Sequence, residues 1–232
     1  MRFVRNVSAL ALAFVFFFHS ILLAAPGFQK ESDRPRIFFA FGAIRASSNP
    51  EKVEPVMTKM VLSSGDKLKI MIQLRKKCFV YVIHRDSQGD FAMLFPYSVK
   101  QFDTDYQTAR NYYAPKGEAW FQLDNRTGNE TFYLIASDQR LLDIEYTYEN
   151  YASSEESKKQ DLAAQMLSEL NKITETYLAS SVGVETPANN ESALRVRGFE
   201  RATGADPTAI AGLAREISFD NIYSETFVVD HR

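Results

Sequence analysis

The amino-acid sequence predicts a mainly β protein: an antiparallel β-sandwich-like domain with one amphipathic helix and a returning C-terminal strand. Three observations carry this. Between Leu62 and Ser137, short apolar or alternating runs recur at intervals of roughly ten residues with turn residues between them, the pattern of a sandwich or barrel. Eighteen Phe and eleven Tyr in 232 residues are a supply that favours strands. From Ser153 the apolar spacing changes from two to three and four, which is a helical period.

At the N-terminus, Arg2 and Arg5 precede an apolar run from Val7 to Ala25, the layout of a secretory signal over residues 1–27. Ala25-Pro-Gly27 suits cleavage before Phe28, and cleavage before Ala25 is the alternative. The run is also nearly long enough to span a bilayer, so a retained anchor is a second reading and a buried core helix a third. No cysteine follows it, which excludes lipid attachment of the bacterial lipoprotein kind. Residues 28–55 read as a linker with one short strand. Gln29 to Arg36 is polar, Ile37 to Phe41 is aromatic, and Ala46 to Pro55 is a loop.

Residues 56–145 read as the β domain. Val56 to Leu62 is its opening strand and Ser63-Ser-Gly-Asp66 a turn. Leu68, Ile70, Ile72 and Leu74 then alternate with Lys67, Lys69, Met71, Gln73 and Arg75, which predicts a half-buried strand with one polar face. From Cys78 the run places Cys78, Val80, Val82 and His84 on one face and Phe79, Tyr81 and Ile83 on the other. Both faces are largely apolar, so this is a central strand. Asp86-Ser-Gln-Gly89 is a hairpin turn, Asp90 to Phe95 the returning strand, and Pro96 its end. Tyr97 to Lys116 is a long connection; a connection of this length is either functional or packed down by its own side chains. Ala119 to Leu123 is a strand and Asp124 to Asn129 a turn. Glu130 to Ser137 follows as a strand with Phe132, Leu134 and Ala136 on one face and Tyr133 and Ile135 on the other.

Residues 146–232 hold the helix, loops and the last strand. Ser153 and Glu156 form a capping box, and Leu162, Met166, Leu170, Ile173 and Tyr177 line one helical face. The expectation is that this face packs on the domain's own sheet, with a partner-binding helix as the alternative. Thr186 to Asn190 and Arg201 to Pro207 are loops, and Ala193 to Arg197 is a weak strand candidate. Asp206-Pro207 opens either a short helix towards Glu216 or extended chain. Ile222 to Val229 is a final strand that returns to the sheet.

The net charge of −2 gives no basic field, so no nucleic-acid partner is expected. A single cysteine, Cys78, rules out an intramolecular disulfide and a zinc site of several cysteines. Its place in an apolar run predicts burial, with pairing to another chain as the alternative.

Leu62-Ser-Ser-Gly-Asp66, Tyr81-Val-Ile83, Asp86-Ser-Gln-Gly89, Leu94-Phe-Pro96, Gly128-Asn-Glu130 and Tyr133-Leu-Ile-Ala-Ser137, in this order and spacing, resemble the bacterial domain of unknown function numbered 4384 over about residues 56–140. Tyr112 to Pro115 looks like the family's step before its next strand. The resemblance implies a β-sandwich and export to the cell envelope or surface. It implies no established activity, and it transfers no catalytic residue.

The three histidines are His19, His84 and His231. Cys78 and His84 lie about 20 Å apart along one extended strand and cannot pair. His84 and Asp86 are neighbours on one face, but no serine at a nucleophile elbow accompanies them. No phosphate-cradling loop, HExxH or EF-hand loop is present. Asp103 and Asp105 supply two oxygens at a calcium-like alternation, without the other ligands such a site needs. No catalytic residue, metal or cofactor is therefore expected. The candidate binding residues are Tyr97, Tyr106, Tyr112 and Tyr113, because tyrosine offers an apolar body and a polar tip to glycan or protein. The expected function is an exported, non-catalytic binding or assembly module of the cell envelope, periplasmic or cell-surface, or inner-membrane anchored if the signal is retained. Its partner would be an envelope protein or glycan, with membrane contact only through an uncleaved N-terminal segment. An accessory subunit acting through the 153–178 helix is the first alternative. A hydrolase using His84 and Asp86 is the lesser one.

Overall fold

The computed structural model describes residues 33–181 and 207–232. In chain order the strands are β1 (Arg36–Ile44), β2 (Val53–Pro55), β3 (Lys59–Leu62), β4 (Lys67–Leu74), β5 (Phe79–Arg85), β6 (Phe91–Phe95), β7 (Asn111–Ala114), β8 (Phe121–Gln122), β9 (Gly128–Ser137), β10 (Arg215–Ser218) and β11 (Ile222–His231). The helices are α1 (Gln101–Thr104), α2 (Leu142–Ser153) and α3 (Glu156–Ser181), and a 3-10 turn spans Pro207–Leu213. The N-terminal signal-like segment, the strand candidate at Ala193–Arg197 and nearly all of the Arg201–Pro207 loop fall outside the described residues. No described helix is long and apolar enough to cross a membrane.

The chain is mainly β, in two sheets. The first runs β10-β1-β4-β7, with β2 added to β1 and β8 to β4. The second runs β3-β11-β9-β5-β6, antiparallel except where β3 lies parallel to β11. Alternation decides which residues meet between the sheets. Phe39, Phe41, Ile70 and Ile72 from the first face Val80, Val82, Leu134 and Phe227 from the second, all in one buried cluster. The Phe41 ring meets Phe132 at 4.9 Å and Phe227 at 5.4 Å, both edge-on, joining a strand of the first sheet to two of the second. The short strand expected at Ile37 to Phe41 is a longer one, Arg36–Ile44. That stretch is an inner strand paired with β4 from Ile37↔Leu74 to Ile44↔Lys67.

The outer face of the second sheet carries Tyr81, Ile83, Tyr133 and Ile135, and the helices cover it with Ile144, Tyr151, Met166 and Leu170. The α3 stripe read from the sequence packs on the chain's own sheet, ending where Tyr177 meets Tyr223 at 5.3 Å. The capping box does not form. Ser153 is the last residue of α2, and its hydroxyl donates back to the Glu149 carbonyl at 2.7 Å. α2 is held by polar contacts as well as by Ile144 and Tyr151: Tyr81 donates to Glu145 at 2.6 Å and accepts from the Leu141 N–H at 2.9 Å, while Arg140 also pairs with Glu145. At the far end of α2, Tyr151 donates to Asp90 at 2.7 Å and accepts from the Phe91 N–H at 3.1 Å.

β4 departs from the expected polar face, because both of its faces are buried. Met71 sits with Ala40 and Ile210 under the 3-10 turn, a cover supplied from far along the chain. Lys69 is fully buried; its ammonium donates to the Gly117 carbonyl at 2.8 Å and to that of Ala119, between the rings of Tyr113 and Trp120. Burial lowers its pKa, and the Glu118 charge partly opposes that. The Gly65-Asp66 turn before β4 fastens three segments. Asp66 accepts the N–H groups of Ala46 (2.7 Å) and Ser63 (2.9 Å), and Gly65, with φ of +91°, donates to the Leu123 carbonyl at 2.8 Å.

Candidate functional site

The four tyrosines divide into two pairs. Tyr106 and Tyr112 are not surface groups, which corrects the expectation of an exposed recognition loop at these positions. The connection that carries them contains α1 and β7, and both residues pack into the core. Tyr112 is 2% exposed, and its hydroxyl accepts from the Gln107 N–H at 2.6 Å. The Tyr106 hydroxyl accepts from the Val80 N–H at 2.9 Å, and burial holds its pKa well above the ordinary value. These rings fill the space where β5 begins, which requires large side chains with one polar tip.

Tyr97 and Tyr113 lie nearer the surface. The Tyr97 hydroxyl donates to the Tyr113 carbonyl at 2.8 Å and accepts from its N–H at 3.2 Å, so it occupies both outward backbone groups of that residue on the β7 edge. An edge satisfied this way is closed to pairing at that position. Lys116 lies 5.2 Å over the Tyr97 ring.

A different place gathers more chemistry. The inward positions of β5 read Val80, Val82 and then His84. Those of β9 read Ala136, Leu134, Phe132 and then Glu130, and those of β11 read Phe227, Val229 and then His231. At one end of the sandwich, three neighbouring strands thus replace apolar residues with polar ones on the core side. A cleft of about 230 Å³ opens there. Its other wall is apolar, formed by Leu68, Phe121 and Leu123 of the first sheet, with Leu94 from β6. Asp86, Ser87, Asp124 and Arg126 also border it.

His84 and Glu130 are joined at 2.6 Å from Nε2 to Oε2, and the imidazole stacks on Phe132 at 4.6 Å. The pairing of His84 with Asp86 weighed from the sequence does not form. Asp86 caps its own hairpin turn, accepting from Gln88 N–H at 2.9 Å and Asp90 N–H at 2.8 Å. The carboxylate against His84 comes instead from the adjacent strand. His231 is 2% exposed; its Nε2 lies 3.1 Å from the Ser64 hydroxyl, and its Nδ1 is buried without a hydrogen-bond partner. Gly128 lets the hairpin lean over this end. Its φ is +139°, and a Cβ there would sit 2.6 Å from that of Ser87. Among the described residues no group of three or more His, Cys, Asp or Glu side chains is placed to hold a metal ion.

Glu130 and His231 escaped the sequence reading because each looks like a strand end beside a turn. The signal was present: both continue an inward alternation, and a polar residue at an inward position is the informative exception. Residues 61–140 match the family model described as Domain of unknown function (DUF4384). This segment is a DUF4384 domain. It holds β4 to β9 and α1, and with them His84, Glu130 and Ser64, but neither β1 nor β11. The cleft is thus completed by His231 from outside the DUF4384 segment. No curated protein matches the chain.

Proposed function

We propose that the protein is an exported, non-catalytic binding module of the cell envelope whose ligand sits in the cleft at the end of the sandwich. The observation that carries this is the convergence of His84, Glu130 and His231 at core-facing positions opposite an apolar wall. Polar groups at such positions weaken a core, and a cleft combining a few of them with apolar lining suits a bound ligand. Export rests on the charged and apolar N-terminal sequence. Two further points support binding at the cleft over the other sites weighed. The apolar stripe of α3 is engaged by its own sheet, and the tyrosine connection is engaged by the core and the β7 edge.

The test combines fractionation with ligand capture. Full-length protein expressed in a bacterial host is expected in the periplasmic fraction, with a mature N-terminus at Phe28 or Ala25 by mass spectrometry. Envelope extract fractions added to the labelled protein should shift the His84 and His231 ring signals in NMR spectra, and the ligand should be recovered unchanged. Cytosolic retention would sink export. Ligand shifts confined to Tyr97 and Tyr113 would sink the cleft, and a chemically altered ligand would sink the non-catalytic reading.

A further inference from the structure

We propose that the cleft receives a primary alkylammonium group, its methylene stem along Leu68, Phe121 and Leu123 and its charge between Glu130 and His231. The inference rests on the reading of the cleft as a ligand site and adds the chemistry of what enters it.

Three observations point the same way. The first is charge. Asp86, Asp124 and Glu130 border the cleft against a single Arg126, so carboxylates outnumber the arginine and the site disfavours anions. Arg126 is largely exposed and lies 3.8 Å from Asp124, on the solvent side of the site. The second is unmet hydrogen bonding. Glu130 is 7% exposed, and among the described residues its carboxylate bonds only His84, through Oε2, which leaves Oε1 to accept from a ligand. His231 is 2% exposed, lines the cleft, and has no partner at Nδ1. When its Nε2–H donates to Ser64, that Nδ1 is a buried lone pair. In that tautomer both groups call for a donor, and an ammonium supplies three. A neutral hydroxyl supplies one and gains nothing from the field. The third is size and lining. A volume of about 230 Å³ suits one side chain or a small molecule. An apolar wall opposite a carboxylate suits a flexible methylene chain with a charged end. The shared chemistry has two sources, a free small amine or a lysine side chain of a partner protein.

The test is titration of the full-length protein, observed through the His84 and His231 ring signals. The probes are n-butylamine, Nα-acetyl-lysine N-methylamide, the uncharged Nα-acetyl-norleucine N-methylamide and methyl glucoside. The amine probes are expected to bind at least tenfold more tightly than the norleucine probe, and raising the salt should weaken them. Glu130→Gln is expected to weaken amine binding tenfold or more. Should that variant unfold, Asp124→Asn, at the exposed rim, is expected to weaken it two- to threefold. A tighter fit for the lysine derivative assigns the source to a protein partner, and for butylamine to a free amine. Equal binding of charged and uncharged probes overturns the charge proposal while leaving the cleft as a ligand site. Unmoved histidine signals with all probes, alongside shifts from envelope extract, overturn the proposal alone. Unmoved signals under both overturn the cleft reading as well.

Discussion

Replacing Tyr151 with Phe removes one oxygen atom and tests how α2 is attached to the sheet. The Tyr151 hydroxyl accepts from the buried Phe91 N–H at 3.1 Å and donates to Asp90 at 2.7 Å. Asp90 is exposed and regains water in the variant, but the Phe91 N–H is left without an acceptor. A buried donor stranded in this way costs about 1–3 kcal/mol. The ring itself is 4% exposed and packs edge-on to Phe91 at 6.1 Å, and Phe preserves that contact. Urea denaturation at pH 8 should therefore show a loss of about 2 kcal/mol with an unchanged dependence on denaturant. Alkali gives an independent arm. Burial, with the bond to Asp90 adding to it, pushes the Tyr151 phenol from near 10 up to about 12. Because the folded value is raised, this stabilisation is complete below the unfolded value and is lost as pH climbs towards 12. The gap between wild type and Tyr151→Phe should thus narrow between pH 10 and 12. A gap below about 0.5 kcal/mol at pH 8, within the range of an ordinary surface change, would refute the reasoning. So would a gap that widens in alkali.

Three further outcomes are expected. Cys78 is fully buried and burial pushes its thiol up to about 12, so a maleimide at pH 8 should leave native protein unlabelled and react fully in urea; rapid native labelling would contradict this. Lys69→Met should leave stability within about 1 kcal/mol of wild type or raise it, whereas Lys69→Ala, which opens a void, should cost about 2–4 kcal/mol. Since the folded pKa of Lys69 is lowered, its burial penalty is full below that value and is relieved as pH rises towards 10.5; wild type should gain on Lys69→Met over that interval in urea titrations. Gly128→Ala should lose about 1–3 kcal/mol in thermal or chemical melts, and adding Ser87→Gly should restore only part of it, because the clash is relieved but the positive φ remains.

The sequence made the second sheet legible because its strands obey alternation and end at strong turn residues. Val80 and Val82 face inward and Tyr81 and Ile83 outward, as the period of two requires. α3 was legible for the same reason, through its three- and four-residue steps. What failed were features set by distant partners. Lys67, Lys69 and Met71 look like a solvated face until the Pro207–Leu213 turn and the loop after Pro115 close over β4. α2 buries Glu145 and Thr147 beside Ile144 and Tyr151, and Glu145 is satisfied only by finding distant partners such as Tyr81 of β5. The tyrosine connection looked like a recognition loop because burial of a ring with a satisfied hydroxyl leaves no mark in a sequence. The cleft was half legible. His84 stood out as a histidine, yet its partner Glu130 is named only by strand register, which places β9 beside β5.

The position of β11 bears on when the protein can fold. It lies between β9 and β3, and the chain reaches it only after both long helices. Until it arrives, β9 has an open side and β3 has no neighbour, so the second sheet cannot close on a growing chain. The ring of His231 that completes the cleft comes with that same strand. Closure of the second sheet and completion of the cleft by His231 are then one event.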